Sequence, residues 1–223
     1  MKVYIETEEG RREADFDVKK LIVVGFAGKD VEKTMEHIRE LEAEGIKCPS
    51  EVPVVYRCAK NLLTEAETIE VVAGDTSGEV EYLIFSDGGR YYIGLGSDHT
   101  DRSLEGTSIH KSKQVCAKPY ANTFWLYDEI VGHFESIKLI SSQIVDGERI
   151  EYQEGVTGDL LPLQTIIEKI EREESMEGAL IYTGTVPLKN GFKFGERFSC
   201  ALIDETLGRK IELSYGIETI REH

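Results

Sequence analysis

Residues 77–98 read SGEVEYLIFSDGGRYYIGLGSD, and this stretch decides the fold. Two runs rich in β-branched and aromatic residues are separated by Asp87-Gly88, where a glycine accepts the positive φ of a type I′ turn. The pattern predicts a tight antiparallel hairpin with Asp87 and Gly88 as its two-residue loop, so that Ser86 faces Gly89. All further pairings along the hairpin follow from this register.

The predicted register places carboxylates together. Glu81 faces Gly94, and Asp98 faces Ser77. Because directly opposite side chains share a face, Glu79, Glu81 and Asp98 lie on one side of the ribbon. Apolar residues cover both faces of the first strand: Leu83 and Phe85 on one, Val80, Tyr82 and Ile84 on the other. Carboxylates that enter a buried layer need a cation or a proton to neutralise them.

The hairpin therefore has two interpretations. In the first, Gly94 and Gly96 leave space for a ligand beside the glutamates, and the carboxylates bind Mg²⁺ or Mn²⁺. These ions fit better than zinc, because no histidine or cysteine is placed to join the three carboxylates. In the second, the glutamates alternate along a solvated strand face. A three-residue loop would reverse the parity and remove the first interpretation.

Composition limits the class of protein. A chain of 223 residues with 40% hydrophobic content can bury one sizeable core. We expect a hairpin extension over residues 1–20 and a single main domain over residues 21–223. The formal net charge of −16 argues against nucleic acid or an anionic membrane as a partner.

Targeting signals and cysteines indicate the compartment. No apolar run reaches membrane-spanning length, and the N-terminus lacks the apolar core of a signal peptide. We therefore expect a cytoplasmic protein. The four cysteines have no CxxC spacing, so we expect reduced structural thiols.

Strands predominate along the rest of the chain. Residues 1–18 predict an edge hairpin, and strands are also predicted at 21–24, within 52–85, at 137–144, 151–153, 179–183, 197–204 and 209–215. Helical spacing predicts one helix from Asp30 to a stop at Gly45 and a second from Leu163 to about Glu173. Residues 100–114 read as a polar loop. This order favours a β-dominated α+β domain over a Rossmann or (β/α)₈ fold.

Four short motifs occur in a specific order: Glu79-x-Glu81, Ser97-Asp98-x-Thr100-x-Arg102, Lys111-Ser112 and Thr183-Gly184-Thr185. This order resembles the fumarylacetoacetate hydrolase superfamily, whose catalytic domain carries E-x-E, N-D-x-T-A-R, K-S-F-D and T-G-T-P. The likeness runs from about residue 21 to 215 and points to an uncharacterised branch.

The resemblance implies a fold and a chemistry. The fold would be a fumarylacetoacetase C-terminal-like pseudo-barrel of mixed β-sheets with a few flanking helices, assembled as a homodimer. Glu79, Glu81 and Asp98 would hold Mg²⁺ or Mn²⁺, and the cation would stabilise the enolate of a small anionic 2-oxo or β-diketo acid. The reaction would be acylpyruvate-type C–C hydrolysis or oxaloacetate-type decarboxylation. The alternatives are a hydratase or tautomerase, or a non-catalytic binder of metal and small acids.

The resemblance also implies residue roles. Lys111 matches the family's acid–base lysine, with Lys113 as its competitor, and Arg102 matches a substrate-binding arginine. The turn that faces the substrate would be formed by Thr183, Gly184 and Thr185.

The superfamily residues that activate water are the ones that this sequence matches least well. The short members of the superfamily carry an H-x-x-E dyad, and His37-x-x-Glu40 has this spacing but lies several residues late. The helix could close over the metal as a lid, with Glu40 orienting His37. In the alternative interpretation, His37 is an exposed helix residue. Three further departures are Ser97 in place of Asn, Gln114 in place of Asp, and Val186-Pro187 after the turn.

Overall fold

The computed structural model describes residues 1–43, 49 and 51–222. Within these residues the strands are, in chain order, β1 (Lys2–Thr7), β2 (Gly10–Asp15), β3 (Lys20–Gly25), β4 (Val54–Cys58), β5 (Leu63–Thr64), β6 (Thr68–Val72), β7 (Thr76–Ser77), β8 (Val80–Asp87), β9 (Arg90–Ser97), β10 (Thr100–Asp101), β11 (Lys118–Pro119), β12 (Thr123–Leu126), β13 (Lys138–Val145), β14 (Glu148–Val156), β15 (Ala179–Tyr182), β16 (Arg197–Asp204) and β17 (Arg209–Ile220). The α-helices are α1 (Val31–Ala43), α2 (Arg102–Glu105), α3 (Ile109–Gln114), α4 (Tyr127–Ile130) and α5 (Leu163–Glu171). Single 3₁₀ turns occur at Lys60–Leu62, Phe134–Ser136 and Thr157–Asp159.

Two large mixed sheets form the framework. The larger has the order β2-β1-β12-β9-β8-β15-β3-β4, and the smaller has the order β14-β13-β16-β17-β6. Parallel pairs such as β3 with β15 and β6 with β17 are mixed with antiparallel hairpins. The predicted β-dominated mixed-sheet class is therefore confirmed.

The core has two parts, one on each face of the larger sheet. The main cluster joins that sheet to the smaller sheet and to α5, with Tyr82, Phe198 and Ile166 fully buried. The second cluster covers the opposite face, where Phe16 stacks on Phe85 with ring centroids 3.9 Å apart. β8 is consequently buried on both faces, as its sequence predicted.

The central hairpin turns one residue later than predicted. Asp87 pairs with Arg90, so Gly88 and Gly89 form the two-residue loop, with φ of 55° and 75°. A type I′ turn needs positive φ at both central residues, and two glycines adopt it without the steric cost that Asp87 would incur. The predicted Asp87-Gly88 loop was therefore wrong.

This correction moves the register by two residues. Glu81 faces Gly96 instead of Gly94, and the same register places Glu79 opposite Asp98. Because side chains alternate with a period of two, a two-residue shift keeps the same face. The prediction that the carboxylates share a face is thus unaffected.

The polar loop predicted for residues 100–114 is largely helical. The side chain of Asp101 accepts a hydrogen bond from the backbone N–H of Leu104, and Ser108 accepts one from Lys111, so these residues cap α2 and α3. Both helices are too short to produce a readable period in the sequence, which explains the error. The two helices that were predicted, α1 and α5, follow the prediction closely, although the predicted stop of α1 at Gly45 lies outside the described residues.

Cys58, Cys116 and Cys200 are buried free thiols, as predicted, and Cys48 lies outside the described residues. In the part of the chain that the structure describes, no helix combines the length and the apolar character needed to cross a membrane.

Candidate active site and metal centre

Three carboxylates meet at the open end of the β8–β9 hairpin. One oxygen each of Glu79, Glu81 and Asp98 lies within 4.8 Å of the other two. Glu81 and Asp98 are buried, and the side chain of Glu79 is 16% exposed. The structure therefore brings together the three residues that the sequence proposed as metal ligands.

The chemistry of this cluster fits a hard divalent cation. Burial, reinforced by the charge of Asp98, raises the pKa of Glu81 well above its usual value. Glu81 accepts a hydrogen bond from the backbone N–H of Gly184, 3.0 Å away. A buried set of oxygen donors without histidine or thiolate suits Mg²⁺ or Mn²⁺.

Of the two lysines in α3, Lys113 is the one that reaches the cluster. Its ammonium contacts Asp98 and lies 3.6 Å from Glu79, and only 6% of its side chain is exposed. Burial lowers the pKa of Lys113, but the carboxylates, Asp98 foremost, raise it more, and it lies above its usual value. Lys111 is exposed on the other side of α3, because residues two apart on a helix point in nearly opposite directions. The geometry thus favours Lys113 over the expected Lys111.

Lys118 is a further cation that the sequence reasoning missed. It is fully buried in β11, with its Nζ 3.1 Å from an oxygen of Asp98 and 2.6 Å from the carbonyl oxygen of His99. Although burial raises the pKa of Asp98, Lys113 and Lys118 lower it to about 2. No local pattern in the sequence marks Lys118, because β11 is only two residues long.

Arg102 faces the metal ligands. Its guanidinium lies 3.1 Å from Glu79 and 3.0 Å from Glu105, and its Nε donates to the Ser77 hydroxyl at 2.8 Å. Each of its nitrogens therefore has a partner within the protein. The contacts in this structure join Arg102 to Glu79, and the substrate-binding role that the resemblance implied stays a prediction.

The turn at residues 183–185 supports β8. The hydroxyls of Thr183 and Thr185 both donate to β8 carbonyl oxygens at 2.7 Å, and Gly184 binds Glu81 as described. Gly184 has φ of 98°, and a Cβ there would lie 2.7 Å from the Cβ of Ala27. Only glycine fits this position, so the turn fixes the orientation of Glu81.

Gly94 and Gly96 do not leave space for a ligand. A Cβ on Gly94 would meet the ring of Phe124 at 2.4 Å, and one on Gly96 would meet Tyr182 at 2.7 Å. Aromatic rings of the second core cluster fill this space. The glycines therefore serve packing, and the expectation that a ligand approaches them was wrong.

A buried histidine lies behind the cluster. His99 contacts the hydroxyls of Tyr215 and Thr76 through its two ring nitrogens, each at 2.9 Å. Burial, with the nearby charge of Lys118, lowers the pKa of His99 to about 3. The imidazole is therefore neutral at pH 7, and it ties the segment that carries Asp98 to β17.

The carboxylate cluster opens into a cavity of about 750 Å³. The β3–α1 connection, the turn at residues 184–188 and Phe192 form its walls, and Lys113 lines it together with Glu79 and Glu81. The first turn of α1 contributes Thr34. The side chains of His37 and Glu40, further along α1, lie outside the described part of the structure, so the dyad stays a prediction.

A family model described as "Protein of unknown function (DUF2848)" matches residues 24–215. The chain belongs to this family. The DUF2848 match covers β8, β9, the turn at residues 183–185 and most of the smaller sheet, and therefore the whole candidate site. No curated protein sequence matches the chain.

Solved structures share the fold of this DUF2848 chain. A Yersinia pestis CO92 protein assigned to the fumarylacetoacetate hydrolase family is 20% identical, with a TM-score of 0.67 over 96% of this chain and 99% of that chain. A yeast fumarylacetoacetate hydrolase family protein is 18% identical, with a TM-score of 0.65 over 91% of this chain and 94% of that chain. The fold predicted from the four motifs is confirmed.

A third similar structure is 2-keto-3-deoxy-D-arabinonate dehydratase complexed with magnesium and 2,5-dioxopentanoate. It is 17% identical, with a TM-score of 0.65 over 97% of this chain and 79% of that chain. At this identity the likeness establishes the fold alone.

Proposed function

We propose that the chain is a divalent-cation-dependent enzyme that acts on a small 2-oxo or β-diketo acid. The observation that carries the proposal is the convergence of Glu79, Glu81, Asp98 and Lys113 at one end of a cavity of about 750 Å³. The magnesium-bound dioxo acid of the similar dehydratase supports this class of ligand.

Each residue has a role in this proposal. Glu79, Glu81 and Asp98 would hold Mg²⁺ or Mn²⁺, which would stabilise negative charge on an enolate oxygen. Arg102 and Gly184 would keep two of these ligands in the binding orientation, as second-layer hydrogen bonds commonly do at metal sites.

Lys113 would act as a proton donor. Its ammonium lines the cavity, and the surrounding carboxylates keep it protonated. A donor at this position delivers a proton to the carbon or oxygen of the enolate. The proposed acid–base lysine is therefore Lys113.

The first reaction to test is acylpyruvate-type C–C hydrolysis, because the cavity has room for an acyl group beyond the chelating head. Decarboxylation of an oxaloacetate-type acid is a second candidate. Lys113 favours it, since protonation of the enolate requires no attacking water. Hydrolysis additionally needs a base for water, and the His37–Glu40 dyad remains the proposal for that role.

A substrate screen tests the proposal. Acetylpyruvate, longer acylpyruvates, oxaloacetate and other β-diketo acids are incubated with the protein and Mg²⁺ or Mn²⁺. We expect turnover of at least one acid that chelating agents abolish. Manganese binding without any turnover would favour the non-catalytic binder, and hydration or enol–keto exchange would indicate the hydratase or tautomerase.

The resemblance also implies a homodimer, which we keep as part of the proposal. Light scattering on the full chain measures the mass in solution directly. The chain mass is 25.1 kDa, so a dimer doubles that value.

A further inference from the structure

We propose that the cavity selects substrates with an apolar acyl group, and that Phe26 and Phe192 are its specificity-determining residues. The inference rests on the proposed function, because it assumes that the acid's 2-oxo head lies at the carboxylate cluster. The inference concerns the part of the substrate that extends away from the 2-oxo head, and it assigns that part an apolar character.

The cavity wall combines charged and apolar side chains. The charged groups of the candidate metal centre line one part of it, which we call the charged end. Apolar side chains line much of the rest, namely Phe26, Leu160, Val186, Leu188 and Phe192, and the charged residues Lys29, Asp30, Glu154 and Asp159 also line the cavity. A small acid such as pyruvate, bound at the charged end, would leave these apolar side chains in contact with water.

Phe26 reaches the cavity through an unusual backbone conformation. Its φ is 56°, in the left-handed region that bulky residues rarely adopt. The position joins β3 to α1 between Gly25 and Ala27, where a glycine would adopt the same conformation at less cost. A strained bulky residue on a cavity wall points to a role for its side chain.

Phe192 occupies the cavity rim. Its ring lies 4.7 Å from the guanidinium carbon of Arg102, and Arg102 pairs with Glu79. The ring is therefore anchored next to the charged end while 49% of the residue stays exposed. A ligand that extends from the carboxylate cluster would cover this exposed ring. Phe194, two residues later, is also exposed but does not line the cavity.

These features together define the ligand class. It combines a 2-oxo acid head, which chelates the cation, with an alkyl or aromatic tail of several carbons that contacts the two phenylalanines. Each methylene that is fully buried against such an apolar wall raises the affinity roughly 4-fold.

Binding of unreactive mimics tests the inference without any turnover. Oxamate, N-butyl oxamate and N-hexyl oxamate carry the same chelating head with tails of increasing length. They are titrated calorimetrically into the manganese-loaded protein. We expect Kd to fall at least ~10-fold from oxamate to the hexyl compound, with an increasingly negative heat-capacity change.

Three variants assign the effect. In Phe192→Ala the ratio of the Kd values of oxamate and the hexyl compound should fall toward one. Phe194→Ala should keep the full gain. Phe26→Gly, which relieves the backbone strain, should reduce the gain without reducing the thermal stability.

The outcomes separate the two proposals. Equal Kd values for the three oxamates in wild-type protein would overturn the inference and leave the proposed function intact. The same holds if Phe192→Ala and Phe194→Ala behave alike. If none of the oxamates binds the manganese-loaded protein, the proposed function fails and the inference fails with it.

Discussion

The backbone N–H of Asp98 donates a hydrogen bond to the carbonyl oxygen of Glu79, 3.0 Å away. This bond extends the pairing of β8 and β9 by one step beyond their ends. It places two carboxylates opposite each other, and Glu81 lies two residues further along β8 on the same face. The candidate metal centre is thus a direct product of hairpin pairing.

The carboxylates should bind one divalent cation per chain. Glu81→Gln removes a buried ligand, so we expect manganese binding to weaken at least ~100-fold, more than the loss of an outer hydrogen-bond partner would cause. Calorimetric titration measures the affinity. Glu154→Gln is the matched control, since Glu154 lines the same cavity but does not belong to the carboxylate cluster. Undiminished binding in the Glu79→Gln/Glu81→Gln double variant would rule out this site.

Substitution of the two lysines of α3 should have sharply different effects on turnover. Lys113→Met removes the ammonium beside the carboxylates, and we expect turnover of an identified substrate to fall ~100- to 10,000-fold. Lys111→Met is the control, because the Lys111 side chain is exposed. The activity of this variant should equal that of the wild type. Steady-state kinetics and a thermal melt of each variant separate chemistry from misfolding. The assignment is wrong if Lys111→Met proves the damaging change.

Arg102 should act through Glu79. In Arg102→Met the carboxylate loses its guanidinium partner, so we expect manganese affinity to fall by about 10- to 100-fold. A substrate-binding arginine would instead raise KM and leave metal affinity unchanged. Titration of the metal alone, in the absence of substrate, distinguishes the two roles.

Phe16 should stabilise the whole fold. It is buried between the rings of Phe85 and Phe124, with centroids 3.9 and 5.1 Å away. Phe16→Ala leaves a cavity in the second core cluster, and we expect it to lower the free energy of unfolding by about 3–5 kcal/mol. Urea unfolding measures the change. Glu13→Ala, on the exposed strand β2, should change it by less than about 0.5 kcal/mol.

Asp204 should make the free energy of unfolding depend on pH in the acid range. Burial raises its pKa, but the hydrogen bonds from His133 and the backbone of Leu207 outweigh burial, and the pKa lies below its usual value. The ionised carboxylate therefore stabilises the folded state above its unfolded pKa of about 3.9, and this contribution is lost as pH falls through the lower folded value.

Asp204→Asn should consequently be less stable than wild type at pH 7, with the difference shrinking below about pH 4. Urea unfolding between pH 3 and pH 7 measures both curves. A constant difference across this range would show that Asp204 contributes by its hydrogen bonds alone and not by its charge.

The sequence determined the central hairpin and the face on which its carboxylates lie. Alternation along a strand has a period of two, so a turn misplaced by one residue moved the register by two and preserved the face. α5 was equally readable, because Leu163, Ile166, Ile167 and Ile170 recur at helical spacing. Both features depend on neighbours in sequence, and a local pattern is sufficient to specify them.

The tertiary structure alone decided which cations meet these carboxylates. Lys113 and Lys118 reach Asp98 because two short capped helices and a two-residue strand, too brief to leave a period, fold the segment back. The space beside Gly94 and Gly96 belongs to Phe124 and Tyr182, which arrive from distant strands. Such contacts depend on the packing of segments far apart in the chain, and no local pattern encodes which side chain fills a given volume.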